Sequence, residues 1–381
     1  MAMHEPWHRP MTARDSTERH RTATPLELFF DLCFVVAVGR VAGELHHSLS
    51  AGHVTAAVLS FLAVFFATWW AWMAFTWFAS AYDTDDVPYR VTVLVTITGA
   101  LVLAAGVHRA FEEHDFSLCV LGYTIIRLAL ISLWLRVAHS HPEGRVTAHR
   151  FAGGLTLVQA LWIGWLALPT PWQMPLFPVI ALLDVALPVW AERAHPTPWH
   201  PHHIAERYGL FTIIVLGESV LAATTATRTA VDAHRTGPEL LGVAAGGLLT
   251  VFAMWWLYFA KPAERFLVST RAGFLWGYGH YLVFGAAAAV GAGIAVNLDF
   301  VTHHSSLAHP AAAAAVTVPV AVYVLALWLL HLRPHHVGRG HALLFPTAAL
   351  LVLAATATPA PVLLTGVTLA ALVAAGTALA R

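Results

Sequence analysis

The chain has 381 residues, of which 58% are hydrophobic and only 11% charged. Soluble domains carry roughly 25% charged residues, so there is too little polar surface here to cover a water-soluble globule, and much of the outside must face lipid. The 21 basic and 21 acidic residues cancel, which leaves no nucleic-acid footprint and makes membrane lipids the expected surroundings.

Residues 1–23 form a polar, Arg-rich segment. The apolar run after it lacks the small-residue cleavage site of a signal peptide and reads as a first membrane helix. A spanning helix takes about 20 mostly apolar residues. The runs are too long and uniform for barrel strands, which alternate over about ten residues. The chain therefore predicts an all-α, polytopic bundle of twelve helices. They lie near 26–45, 54–80, 89–110, 116–138, 150–169, 174–192, 205–226, 239–260, 272–297, 310–332, 341–357 and 360–380. Cys33 and Cys119 fall in apolar segments and read as free thiols.

Basic residues test that count, because cytoplasmic loops are enriched in Lys and Arg. With both termini inside, sixteen basic residues fall on the cytoplasmic side, among them Arg19, Arg339 and Arg381. Three, Arg109, Arg228 and Arg235, fall outside, and Arg40 and Arg127 lie within helices. A wrong helix count early in the chain would scramble that split.

The chain also repeats itself weakly, as two six-helix halves at 24–200 and 201–381. Glu27 is answered by Glu206, Trp69-Trp70 by Trp255-Trp256, Gly99-Ala100 by Gly285-Ala286, Leu133-Trp134-Leu135 by Leu327-Trp328-Leu329, and Gly144-Arg145 by Gly338-Arg339. The offset grows in steps at loops. Six helices per half is an even number, so the halves enter the membrane in the same direction. Transporters often bind substrate between such repeats.

Three blocks carry a resemblance. Thr24-Pro25-Leu26-Glu27-Leu28-Phe29-Phe30-Asp31 resembles the opening block of the bacterial low-temperature-requirement protein A family. His203-Ile204-Ala205-Glu206-Arg207-Tyr208-Gly209-Leu210-Phe211, followed by Val215-Leu216-Gly217-Glu218-Ser219, is similar to its central block. The Trp-rich second helix ending in Asp83-Thr84-Asp85-Asp86 is similar to a third. The resemblance implies a multi-pass bacterial inner-membrane protein and names no reaction.

Ionisable residues at bilayer depth cost roughly 2.5–3.5 kcal/mol on insertion scales and usually face a bundle interior. Glu27 and Asp31 stand one turn apart on one face of helix 1, which suits a proton or cation site, or a capping pair. Glu218 lies twelve residues after Glu206, about 18 Å along helix 7 at the standard rise; Gly39 is its counterpart in the repeat. Arg127, mid-span in helix 4, needs a carboxylate or water, with Asp31, Asp184 and Glu218 as candidates for a structural ion pair and a substrate anion contact as the alternative. Arg40 and Glu44 pair locally. Asp83, Asp85, Asp86 and Arg90 share a cytoplasmic loop. With Glu27, Asp31, Glu206 and Arg207 on the same side, they could form a polar cluster that joins the halves as a gate.

The His pairs, His46-His47, His202-His203, His303-His304 and His335-His336, do not converge on one side. His202 and His203, near Glu206, are only weak metal candidates, and no metal is assigned. The mid-span tryptophans Trp69, Trp70, Trp72 and Trp77 read as packing. No phosphate-binding Gly-rich loop is present, and no cofactor is implied. The leading expectation is a proton- or cation-coupled secondary transporter of a small solute or ion, with enzyme activity left open. The alternatives are a membrane-embedded enzyme acting on a lipid or isoprenoid, and a sensor or scaffold without transport.

Overall fold

A computed structural model describes residues 7–16, 18, 21–232, 237–333 and 339–379. The His335-His336 pair, Gly338 and the Arg19, Arg235 and Arg381 of the charge count lie outside the described residues.

The described residues are mostly helical, in twelve α-helices. These are α1 (Pro25–Ser50), α2 (Val54–Tyr82), α3 (Val87–Glu112), α4 (Ser117–Ser140), α5 (Arg145–Leu166), α6 (Thr170–Ala191), α7 (Pro201–Asp232), α8 (Pro238–Phe259), α9 (Thr270–Val301), α10 (His309–Leu327), α11 (Arg339–Ala355) and α12 (Pro361–Leu379). A 3-10 turn, Ala263–Phe266, precedes α9, and a π-helical turn, Trp328–Leu332, extends α10. A helix is present at each of the twelve expected positions. By length and composition, nine helices among the described residues can cross a membrane: α2, α3, α4, α6, α7, α8, α9, α10 and α12. The protein is a polytopic helical membrane bundle.

Proline sets many helix starts. It stands in the first turn of α3, α6, α8 and α10, where its missing N–H has no intrahelical acceptor to lose. Inside α6, Pro175, Pro178 and Pro188 each remove a donor, which transmembrane helices tolerate because neighbouring groups re-satisfy the freed carbonyls. Large apolar side chains such as Leu182, Leu241, Leu275 and Trp256 stay exposed, as expected for a surface that faces acyl chains.

The chain forms two compact units. The first comprises residues 1–37 and 66–207, the second residues 38–65 and 208–381. Within the first, α3 packs on α4, α4 on α5 and α5 on α6. Within the second, α9 packs on α10, α10 on α11, α11 on α12, and α12 on α8. The core of the second unit is α9, in which every residue from Val283 to Leu298 is buried. That stretch is mostly Gly and Ala, and small residues let helix backbones approach closely. At Gly293 a Cβ would collide with the Ala315 carbonyl of α10, so glycine is required there. Cys119 is buried and Cys33 half-buried, and both are free thiols.

The N-terminal segment covers the end of α2 in the first unit. Arg21 donates to the carbonyls of Ser80 and, at 2.8 Å, Ala79. A guanidinium at a helix C-terminus satisfies orphan carbonyls and complements the helix dipole. The Arg14 N–H reaches the Ala81 carbonyl at 2.9 Å.

Candidate functional site

Helix α1 opens with a reciprocal cap. The Glu27 carboxylate accepts from the Thr24 N–H at 2.8 Å, and the Thr24 hydroxyl accepts from the Glu27 N–H at 3.3 Å. This capping box fixes the Glu27 side chain at the start of the helix. Asp31 follows one turn later on the same face. Arg207 of α7 bridges the two. Its Nη1 donates to Glu27 at 2.9 Å, while its Nε and Nη2 donate to the two Asp31 oxygens at 2.9 and 2.6 Å. The paired bonds to Asp31 are the bidentate geometry that makes Arg–carboxylate contacts strong.

Three further groups close the cluster. His203, one turn before Arg207, places Nε2 3.3 Å from Glu27 Oε2. The Trp72 indole donates to Asp31 at 2.7 Å, and the Thr76 hydroxyl lies 3.4 Å from Arg207 Nη2. Glu27, Asp31, Thr76, His203 and Arg207 are all between 0% and 1% exposed. His203 Nδ1 and the Tyr89 hydroxyl are buried with no hydrogen-bond partner among the described residues.

The charge count is the chemical point. Two carboxylates face one guanidinium, so the cluster is one positive charge short of neutrality unless it holds a proton. Two unit charges about 4 Å apart interact by roughly 4 kcal/mol at an effective dielectric of about 20, and burying an uncompensated charge costs several kcal/mol. One proton therefore decides whether this buried site is neutral. His203 can take that proton directly.

A second buried cluster forms in the same unit. Of the three carboxylates considered for Arg127, the structure selects Asp184 of α6. Arg127 Nη2 donates to Asp184 and to the Tyr123 hydroxyl. Asp184 also accepts from Trp162 at 2.8 Å, Tyr123 at 3.2 Å and Trp70 at 3.3 Å. One carboxylate and one guanidinium balance, which is the arrangement of a structural ion pair. Trp70 and Trp72 are core residues, and they are also indole donors to buried carboxylates. Sequence reading assigned them packing alone; the signal for the second role was a mid-span Trp in a chain that also carries mid-span acids.

The acidic loop after α2 is organised locally. Asp86 caps α3, accepting from the Tyr89 N–H at 2.8 Å, and pairs with Arg136 at 2.7 Å. Asp85 pairs with Arg90 at 2.8 Å on the surface. Asp83 lies 3.5 Å from Arg14. None of these contacts reaches Glu27 or Asp31. Glu206 likewise turns aside, accepting from the Ala23 N–H at 3.0 Å. His202 Nδ1 lies 3.1 Å from the Arg21 carbonyl. No group of three metal-ligating side chains occurs among the described residues.

Asp83 is the titratable group of this loop. Burial, reinforced by the nearby Glu27 carboxylate, pushes it up to about 6, against the pull of Arg14. A folded-state value above the unfolded 3.8 means its stabilising contribution is complete below about pH 4 and is lost as pH rises through about 6. The two-unit difference corresponds to at most about 3 kcal/mol. Asp83→Asn should remove this loss. Relative to the variant, the parent should lose unfolding free energy between pH 4 and 7, measured by thermal unfolding in detergent. A pH-independent difference would contradict the assignment. Glu192, raised to about 7 by burial, titrates in both proteins and cancels.

In the second unit, Glu218 of α7 is half-buried and makes no hydrogen bond or ion pair among the described residues. Its carboxylate fills the space beside Gly39 of α1, where a Cβ would lie 2.6 Å from Oε1. It opens onto a cavity of about 80 Å³.

Comparison with known proteins agrees with this architecture. The model of the bacterial low temperature requirement A protein (LtrA) matches residues 22–378. An uncharacterised protein of Rhizobium meliloti (strain 1021) is 29% identical over 317 residues, covering 78% of this chain and 72% of its own length. The matched region takes in every helix from α1 to α11 and nearly all of α12, and with them both buried clusters and Glu218. The chain belongs to the bacterial low temperature requirement A family.

Proposed function

We propose that this protein is a proton- or cation-coupled secondary transporter of a small solute in the bacterial inner membrane, with both termini cytoplasmic. The observation that carries the reading is the Glu27–Asp31–Arg207–His203 cluster, which is buried and one proton from neutrality. Buried ionisable groups in membrane bundles mark ion and proton pathways. A bundle that gains and loses one buried charge has two states of different energy, and a coupled transporter needs such a pair. The Arg distribution supports the orientation.

A six-plus-six repeat adds support. The neighbour order α3–α4–α5–α6 recurs as α9–α10–α11–α12. The Trp70–Asp184 bond ties α6 to α2, as α12 packs on α8. Gly39 and Glu218, counterparts in the repeat, touch each other. Transporters are often built from such parallel repeats.

A membrane enzyme acting on a lipid or isoprenoid is the second reading. In its favour is an apolar cavity of about 370 Å³ in the second unit, lined by residues such as Leu49, Phe61, Phe65 and Val318. Against it, the loop carboxylates that would hold a cation and pyrophosphate already serve as a cap and in ion pairs.

The test is flux in proteoliposomes loaded with a pH indicator, against amino acids, sugars, organic acids and inorganic cations. Solute-dependent proton or cation movement is expected. Asp31→Asn should reduce it at least about tenfold, equivalent to roughly 1.4 kcal/mol, while the protein stays monodisperse. No flux with any of these solutes would overturn the reading.

A further inference from the structure

The second unit holds a titratable arrangement that the cluster around Arg207 does not use. Glu218 faces a cavity lined by Gly39, Gly43, His46, Ser219 and Gly291. At about 80 Å³ it has room for two or three waters, since each occupies about 30 Å³ in the liquid. The Glu218 carboxylate lies beside Gly39, and His46 stands about two turns further along α1. His46 Nε2 lies 2.7 Å from Asp299 Oδ2, which also accepts from the Ser50 hydroxyl at 2.9 Å. The side chains of His46 and Asp299 are 19% and 28% exposed and lie near the ends of α1 and α9, whereas Glu218, also half-buried, stands mid-way along α7.

We propose that Glu218 exchanges its proton with solvent through this cavity and the His46–Asp299 pair. The glycines matter because they leave the passage open: three of the named lining residues have no side chain. Ser219 donates its hydroxyl to the Ala287 carbonyl at 3.1 Å, which leaves its oxygen free to accept from a water. Imidazole has two nitrogens and can take a proton on one while releasing it from the other. With Nε2 held on Asp299, Nδ1 is the second proton site. The carboxylic O–H of Glu218 passes its proton to water, and water passes one to His46; the reverse sequence reprotonates Glu218, and no electrons move.

The charged and titratable surroundings are few. Helix α1 brings His46, stacked on His47 at 4.9 Å between ring centroids, and the Arg40–Glu44 pair at 3.7 Å. Helix α9 brings Asp299, with His304 just beyond its end acting on that carboxylate. Helix α7 brings Glu218. No cation neutralises Glu218 directly among the described residues, so a lone charge at this depth is costly and a proton path is the means of relieving it. The repeat counterpart of Glu218 is Gly39, so this site exists in one half only. It stands apart from the transport reading, which rests on the first-unit cluster.

Infrared difference spectroscopy of the purified protein in liposomes tests it. A carboxylic C=O band that titrates with pH and is missing in Glu218→Gln identifies Glu218. In D2O the parent band should exchange at least about tenfold faster than in Gly43→Leu, a barrier change of roughly 1.4 kcal/mol. A Cβ at Gly43 meets nothing within 4 Å, so the plug enters the cavity without moving backbone. His46→Leu, at a partly exposed position, should slow exchange as well and serves if Gly43→Leu does not fold. A parent band that exchanges no faster than in either variant, or no Glu218-dependent band, overturns the proposal. The readout needs no solute, so a failure of flux and a failure of this route are separate results.

Discussion

Arg207→Gln should lower the unfolding free energy by about 3–5 kcal/mol, the cost of removing one partner from a buried ion pair. Arg207 is the only guanidinium bonded to Glu27 and Asp31 among the described residues, and it makes three of its bonds to them. Without it, two carboxylates one turn apart are left in a buried site with His203 as the basic side chain in contact with Glu27. The double variant Arg207→Gln/Asp31→Asn should regain about half of the loss, because one carboxylate then faces one imidazole. Arg207→Lys should fall between, since an ammonium is a point charge and cannot make the paired bonds to Asp31. Denaturant unfolding of the purified protein in detergent micelles separates these cases. An Arg207→Gln protein within about 1 kcal/mol of the parent would show that water reaches the cluster and screens it.

Asp184→Leu should be about as damaging, for a different reason. Asp184 is the common acceptor for Arg127, Tyr123, Trp162 and Trp70. Removing it strands a buried guanidinium and three neutral donors, again a loss of about 3–5 kcal/mol. Arg127→Met should cost less, because Asp184 keeps three donors. Replacing both, Arg127→Met/Asp184→Leu, should recover most of the loss, since apolar substitutes for a buried pair are often neutral or better. A double-mutant cycle on the four proteins gives the coupling. Additive effects would mean that the two side chains do not depend on each other. The contrast with Arg207 is informative: a balanced pair can be replaced by apolar groups, whereas the Arg207 cluster joins two carboxylates to one guanidinium and an imidazole, a set that no apolar pair reproduces.

Much of the fold was legible from the chain alone. Twelve apolar runs gave twelve helices, and prolines marked many of their starts. The Glu27–Asp31 spacing placed both acids on one face, because a four-residue step is one helical turn. Thr24 and Glu27 form a capping box for the same local reason. What the sequence could not supply was partner choice. Arg127 had three candidate carboxylates, and only the packing of α4 against α5 and of α5 against α6 brings Asp184 to it. Asp83, Asp85 and Asp86 looked like one acidic cluster with Glu27 and Asp31, yet each is engaged by a nearby cap or cation. His46 and Asp299, 253 positions apart, gave no sequence signal as a pair.

The division follows from range. Helix positions, caps, one-face spacings and the family depend on neighbours within a few residues, so the sequence by itself determined them. The bridging of Glu27 and Asp31 by Arg207, the indole bonds of Trp70 and Trp72, and the opening of Glu218 beside Gly39 join residues 41 to 180 positions apart. Those contacts depend on which helix faces meet and how closely. The facing is set by small residues such as Gly39 and Gly293, whose role is invisible until the neighbouring helix is in place, so only the tertiary structure decided them.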